Sequence, residues 1–593
     1  MTNKEDSFLF QKGNPLLPGA QRMPGGYNFC ASFLEPVKAV LHLTDPESGI
    51  QQTIPMKNGT VTGAEAAVFV ACPEGKNLAY FYTLNGQIVP DPYTRSVKDG
   101  VNTTVPDALR EDVPLSGEGR GIRILPEDMI LYKLHVRGFT MLDPSVPKKE
   151  RGTLKGLFRK IPYLKDLGIN TVELMPVYSF DPVLPNGRKN YWGYAENNQY
   201  FAPNAAYCAG DEPVKEVQEL IDGLHKEGIA CILEIYIPEN LSIRILGDAL
   251  RYWAMTMGAD GFHLSGKYAA IDEILRDPLL ADRILLMDSP VQAVSGNQPF
   301  RSFDHVYTMQ SGFRTEARRF LKGSGEDTAS FAELFRCCPA QYHVVNYIAD
   351  HNGFTLQDLV SYNEKRNEAN GEGNRDGTFE NDSWNCGEEG PTAKRSIAAL
   401  RNRQIRNALL LVFLSQGIPM LYAGDEFGNS QGGNNNGYCL DSKDGWLNWE
   451  DAAANRERIR FLKQLIRFRK AHGILHTGSA MWGSDYEHTG MPDISFHGRE
   501  MYSLEAGIPA LAVLLNGYYA KTPENSLFLA MNAWENAYEF ALPALPEGYV
   551  WTQALTSAPS GNRKGKDASS LSGSVSVPAH TVCVFEGVRA CPS

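Results

Sequence analysis

Thr171-Val172-Glu173-Leu174-Met175 and Ala230-Cys231-Ile232-Leu233-Glu234-Ile235 are apolar runs of strand length, each preceded by a helical stretch. The same alternation continues from about residue 126 to 475, and helix and strand repeating over roughly 350 residues predict an α/β fold built on a (β/α)8 TIM barrel. On its N-terminal side, from about 13 to 120, short apolar runs alternate with Gly, Pro and Asn, as in Tyr27-Asn28-Phe29-Cys30-Ala31 and Ala39-Val40-Leu41-His42-Leu43. That pattern predicts a small N-terminal β-sandwich. Beyond about 480, Ser526-Leu527-Phe528-Leu529-Ala530-Met531 and Val582-Cys583-Val584-Phe585, with turn-formers such as Pro559-Ser560-Gly561-Asn562, predict a C-terminal antiparallel β-sandwich. The domains expected are residues 1–125, 126–478 and 479–593.

With 593 residues, 43% of them hydrophobic and 21% charged, the chain is long enough for a large central domain with satellites. A net charge of -12 repels nucleic acid and anionic membrane, which makes a neutral ligand the better expectation. Residues 1–15 hold Lys4, Glu5, Asp6 and Lys12 instead of a basic cluster followed by an apolar run. No later stretch is apolar enough to cross a bilayer, so a cytoplasmic protein is expected. The ten cysteines are scattered, and the adjacent pair Cys337-Cys338 lacks the spacing of a metal site. Reduced thiols, no metal and no cofactor are the expectation.

Several longer strings carry a resemblance. They are Tyr132-Lys133-Leu134-His135-Val136-Arg137-Gly138-Phe139-Thr140, Asn190-Tyr191-Trp192-Gly193-Tyr194 and Asn367-Glu368-Ala369-Asn370-Gly371-Glu372-Gly373. With Gln416-Gly417-Ile418-Pro419-Met420 and Ala423-Gly424-Asp425-Glu426-Phe427-Gly428, they resemble isoamylase-type glycogen debranching enzymes of glycoside hydrolase family 13. The likeness covers nearly the whole chain. It implies that residues 1–125 resemble carbohydrate-binding module family 48, and that the ligand is an α-glucan such as glycogen or starch.

The catalytic signatures of that family are altered here. The first, Asp, three residues, then Asn-His, corresponds to Glu234-Ile235-Tyr236-Ile237-Pro238-Glu239, with all three polar positions changed. The second, Gly-Phe-Arg-Phe-Asp, becomes Gly261-Phe262-His263-Leu264-Ser265, so Ser265 stands at the nucleophile and His263 at the orienting arginine. The third, which carries the acid/base glutamate, aligns with Ile284-Leu285-Leu286-Met287-Asp288-Ser289, one methylene short at Asp288. The fourth, His-Asp, reads His351-Asn352, keeping the sugar-contacting histidine but placing an amide where the stabilising aspartate belongs. A retaining glycosidase needs two carboxyl groups about 5 Å apart, one as nucleophile and one as acid/base. Ser265, Asp288 and Asn352 do not supply them.

The interval from Glu234 to Ser265 is also short, as if a substrate-covering loop were missing, and residues 240–259 read as one helix carrying Leu250, Tyr252, Trp253 and Met257. Tyr191, Trp192 and Tyr194 are candidates for a sugar-stacking platform, since aromatic rings pack on the apolar faces of glucose, or else for core packing of a loop. His263 and His351 are the remaining candidate sugar contacts. Asn434-Asn435-Asn436 either meets sugar hydroxyls or shapes a turn, and Asp260 reads as structural. The functional expectation is a catalytically inactive α-glucan-binding or regulatory member of the family, with an active debranching homologue as a further candidate partner. The alternative is an active hydrolase of α-1,6 branches that draws on Glu234, Glu239 or Asp288. Two acidic side chains facing each other across the barrel mouth, within bonding reach of a bound glucose, would overturn the inactive reading.

Overall fold

The computed structural model describes residues 7–105, 121–267, 271–288, 304–324, 328–339, 341–558 and 573–590. The expected turn at Pro559-Ser560-Gly561-Asn562 and the charged residues Lys4, Glu5 and Asp6 lie outside them. Eight strands form a closed parallel barrel: β1 (Leu131–Leu134), β2 (Thr171–Leu174), β3 (Ala230–Ile237), β4 (Gly261–Gly266), β5 (Ile284–Met287), β6 (Val306–Met309), β7 (His343–Asn346) and β8 (Ile418–Tyr422). Each pairs with the next, and β1 pairs with β8 to close the ring. The fold class is that of a TIM barrel with additional β-rich regions. Its strands are buried on both faces by the helices outside and the packed interior, so they read as continuous apolar runs rather than as alternating ones.

Residues two apart on a strand point to the same side, and this sorts the barrel interior into layers. The lower interior is apolar, with Leu131, Ile232, Leu286, Tyr307, Val345 and Met420 packed together. Two residues further along β1 and β3 come Lys133 and Glu234, in register with Glu173 on β2 and His263 on β4 respectively. One more step brings Tyr236 on β3 opposite Ser265 on β4. The polar layers therefore lie at the C-terminal ends of the strands, the face on which TIM-barrel sites are built.

Between β3 and β4 the expected helix is present as Ile243–Tyr252, burying Leu246, Ala249 and Leu250 on one face. It continues as a π-helical turn, Trp253–Met257, and is closed by Gly258, whose φ of 89° is the left-handed conformation that stops a helix. Trp253 is fully buried and donates from Nε1 to the Tyr200 carbonyl at 2.6 Å. Before the barrel lie two antiparallel sheets of five and six strands, which enclose Tyr27, Phe29, Leu41, Val68, Tyr80 and Tyr82. The Tyr93 hydroxyl, from a loop between strands of the six-stranded sheet, donates to Asp248 on the helix at 2.8 Å. After the barrel lie a five-stranded and a two-stranded antiparallel sheet around Phe528, Phe540, Trp551 and Phe585. The described cysteines are free thiols. Among the described residues no helix is long and apolar enough to cross a membrane.

Candidate active site

At the centre of the barrel mouth is a cation. The Lys133 ammonium, with no solvent exposure, lies 3.0 Å from Glu173 Oε1, 3.4 Å from Glu234 Oε2 and 3.6 Å from Asp350 Oδ1. Glu173 also binds His263 Nδ1 at 2.6 Å, and the other ring nitrogen of His263 reaches Asp288 Oδ1 at 3.1 Å. On the opposite side, Asp350 Oδ1 meets His351 Nδ1 at 2.8 Å, His351 Nε2 meets the Tyr194 hydroxyl at 2.9 Å, and that hydroxyl donates to Glu234. The chain of contacts thus runs Asp288, His263, Glu173, Lys133, Asp350, His351, Tyr194 and Glu234, and closes on Lys133.

Each carboxylate in that chain has a cationic or donor partner, and the fields set their charge states. Burial works against ionised Glu173, but Lys133 and His263 outweigh it and hold the carboxyl below the usual range. Burial likewise opposes ionised Asp350, and His351 and Lys133 overcome it. Asp288 is also lowered, its burial penalty exceeded by the hydrogen bond and charge of His263. Burial alone would strip the proton from His263, but Glu173, helped by Asp288, pushes its value up to about 10. Lys133 is raised well above a free lysine, because Asp350, Glu173 and Glu234 outweigh its desolvation. A general acid for glycoside cleavage has to be protonated near neutral pH, which takes a raised carboxyl pKa. Asp288 is displaced in the opposite direction.

One oxygen or nitrogen from each of Glu173, Glu234 and His263 falls within 4.8 Å of the others, a spacing that suits a metal ion. The donor set does not fit one here, because the Lys133 ammonium already sits against both carboxylates and supplies the positive charge.

The residues expected from the sequence are placed as follows. Ser265 is 5% exposed, and its Oγ has no hydrogen-bond partner among the described residues, so no base is positioned to activate it. Asp288 has a half-exposed side chain at the rim, accepting from the Gly266 amide at 3.3 Å as well as from His263. Asn352 is exposed. His263 is buried inside the ionic chain. His351 is buried with its ring edge-on to Trp192, centroids 4.6 Å apart. Trp192 is 6% exposed and Tyr194 half-buried. Tyr191 is turned inward, its ring 4.1 Å from that of His135 and its hydroxyl bonded to the Gly445 carbonyl at 3.2 Å. Glu239 lies outside the cluster on the surface, paired with Lys267. Asp260 accepts from the Cys231 and Ile122 amides and pairs with His225, a structural arrangement. Asn434 and Asn435 are buried and bonded to Asn370, Asn367 and Asn381, so they shape the loop and present nothing to a sugar.

Lys133, Glu173, Asp350 and Tyr236 belong to the site without having been singled out by the sequence reading. The first two carry a signal in retrospect, being charged residues in the middle of otherwise apolar barrel strands, where an unpaired charge would not be tolerated. Asp350, two residues before Asn352, shows no such pattern, because it stands in a loop.

The sequence pattern of the alpha amylase catalytic domain matches residues 87–238. The chain is 30% identical over 520 residues to the "Glycogen operon protein GlgX homolog" of Mycobacterium tuberculosis, covering 72% of each protein. It is 29% identical over 602 residues to "Isoamylase 1, chloroplastic" of Arabidopsis thaliana, covering 79% of this chain and 76% of that one. Among solved structures, pullulanase type I from Bacillus subtilis, complexed with maltose, superposes with a TM-score of 0.73 at 18% identity over 96% of this chain and 85% of that one. That last likeness is one of fold.

Proposed function

The chain belongs to glycoside hydrolase family 13, within its isoamylase-type glycogen debranching branch, and on that premise we propose that it is a catalytically silent member that binds α-glucan. The observation that carries this reading is the engagement of Glu173, Glu234, Asp288 and Asp350 by Lys133, His263, His351 and Tyr194, with an unactivated Ser265 at the nucleophile position. The mouth gathers acidic side chains, and among the described residues each of these four carboxylates is engaged by a cation or a donor. Removing a nucleophile normally costs many factors of ten, each about 1.4 kcal/mol of transition-state stabilisation.

Trp192, Tyr194 and His351 are the residues assigned to the glucan-binding mouth, with Asp288 and Asn352 at its rim and the buried His263 holding Asp288 from beneath instead of contacting sugar. Residues 1–125, 126–478 and 479–593 are taken as the glucan-module-like, barrel and terminal units. Such a chain holds glycogen or starch either by itself or as the non-catalytic subunit of an active debranching homologue.

The test is release of reducing ends from glycogen or pullulan by the purified protein, where no turnover is expected. Turnover that vanishes on Asp288→Ala or Glu234→Ala overturns the reading. Retardation in gels containing glycogen tests the binding half, and free migration rejects it. The rival is a working debranching hydrolase with unusual groups, favoured by the half-exposed Asp288 carboxylate beside Ser265. Shortened branch profiles in glycogen incubated with the protein would decide for it.

A further inference from the structure

An aromatic ring that carries a glucose must leave a face open to it. Tyr194 does not. The ring of Tyr236 lies on it with centroids 4.7 Å apart and planes only 11° from parallel, the geometry in which a flat partner stacks. Trp192 and His351 approach the same Tyr194 ring edge-on, at 64° and 89° with centroids 5.8 Å away. The Tyr236 side is therefore the side on which a flat molecule would be received.

The sequence explains how Tyr236 comes to be there. On β3 it is the third inward-pointing residue after Ile232 and Glu234, and it stands in register with Ser265, in the layer nearest the mouth. Its backbone is fixed, since its amide donates to the Tyr178 hydroxyl at 3.0 Å and its carbonyl accepts from Tyr200 at 2.8 Å. Its ring is half-buried, and no hydrogen bond holds its hydroxyl among the described residues. Beside it, Ser265 Oγ is buried without a hydrogen-bond partner among the described residues, a polar group of the kind that a bound hydroxyl satisfies.

We propose that Tyr236 is a built-in occupant of the sugar-stacking place on Tyr194, so that an α-glucan enters the barrel mouth only by exchanging a glucose ring for the Tyr236 ring. This rests on the glucan-binding reading above and adds to it a residue that sets the affinity of the mouth. The competing ring weakens glucan binding by the worth of one aromatic stack, about three- to tenfold.

The experiment is titration calorimetry of the full chain with maltoheptaose, comparing wild type, Tyr236→Phe, Tyr236→Val and Tyr236→Ala, each first checked for an unaltered melting transition. Valine suits a strand, so Tyr236→Val guards against a folding failure of the alanine variant. Expected are three- to tenfold tighter binding for Val and Ala, and wild-type affinity for Phe, which keeps the ring. Equal or weaker binding by the Val and Ala variants overturns the proposal and leaves the glucan-binding reading standing. Binding by these variants with none by wild type supports the proposal and refutes glucan binding by the native chain. No binding by any form refutes both.

Discussion

Lys133 lies among three carboxylates in a place that water does not reach, and its loss is far more costly than that of a surface lysine. Lys133→Met leaves Glu173 and Asp350 as buried anions with reduced compensation, which costs on the order of 3–5 kcal/mol. A lower denaturation midpoint for the variant, partly restored by adding Glu173→Gln, is the expected result, because coupled charges are not additive. His263 gives the pH dependence a definite sign. Its folded value of about 10 lies above the usual imidazole value of about 6.5, so its contribution is complete below about pH 6.5 and is lost as pH rises through 10. The melting temperature is expected to fall between about pH 7 and 10, and His263→Gln flattens that fall. Glu173, Asp288 and Asp350 act the other way: their values are lowered, so their contribution is present above about pH 4 and disappears in acid. Ser265→Asp tests the same electrostatics from the catalytic side. It puts a carboxylate where the resemblance places the nucleophile while His263 still holds Asp288 as an anion, so hydrolysis of pullulan is expected to remain at background in a reducing-sugar assay. At this scale the sequence offered Ser265, Asp288 and Asn352 as candidates, because they fall inside strings that resemble the family's signatures. It concealed the ionic chain, because Lys133 and Asp350 meet only when β1 and the loop after β7 are brought together.

Among the elements, the barrel strands were the most legible, since β3 buries nearly all of its eight residues and therefore reads as one apolar run. Helix Ile243–Tyr252 was legible too, its apolar residues recurring on a single face, but the π-helical turn after it was not. That turn depends on where Trp253 is drawn, which is a tertiary matter: the indole is fully buried and bonded to the Tyr200 carbonyl. Trp253→Ala leaves both a cavity and an unpaired carbonyl, at a cost of about 3–5 kcal/mol. Thermal melting should report that loss. The layered order of the mouth was readable only in part. Alternation along β3 puts Glu234 and Tyr236 on the same side, yet that Tyr236 covers Tyr194 depends on the loop after β2, whose path no local pattern gives.

Taken whole, the proposed binding of an uncharged polymer by a chain of net charge -12 is expected to be almost independent of salt, because stacking and neutral hydrogen bonds are not screened. Raising sodium chloride from about 50 to 500 mM is expected to change the maltoheptaose affinity less than about twofold by calorimetry. A steep salt dependence would point to an anionic ligand. The closed contact chain at the barrel mouth also limits how this protein can change. Replacing Lys133, His263 or Asp350 alone strands a charge that another member was neutralising, and stability falls. The mouth therefore accepts change only when several of these residues are replaced together, so its electrostatics lock the cluster as a unit.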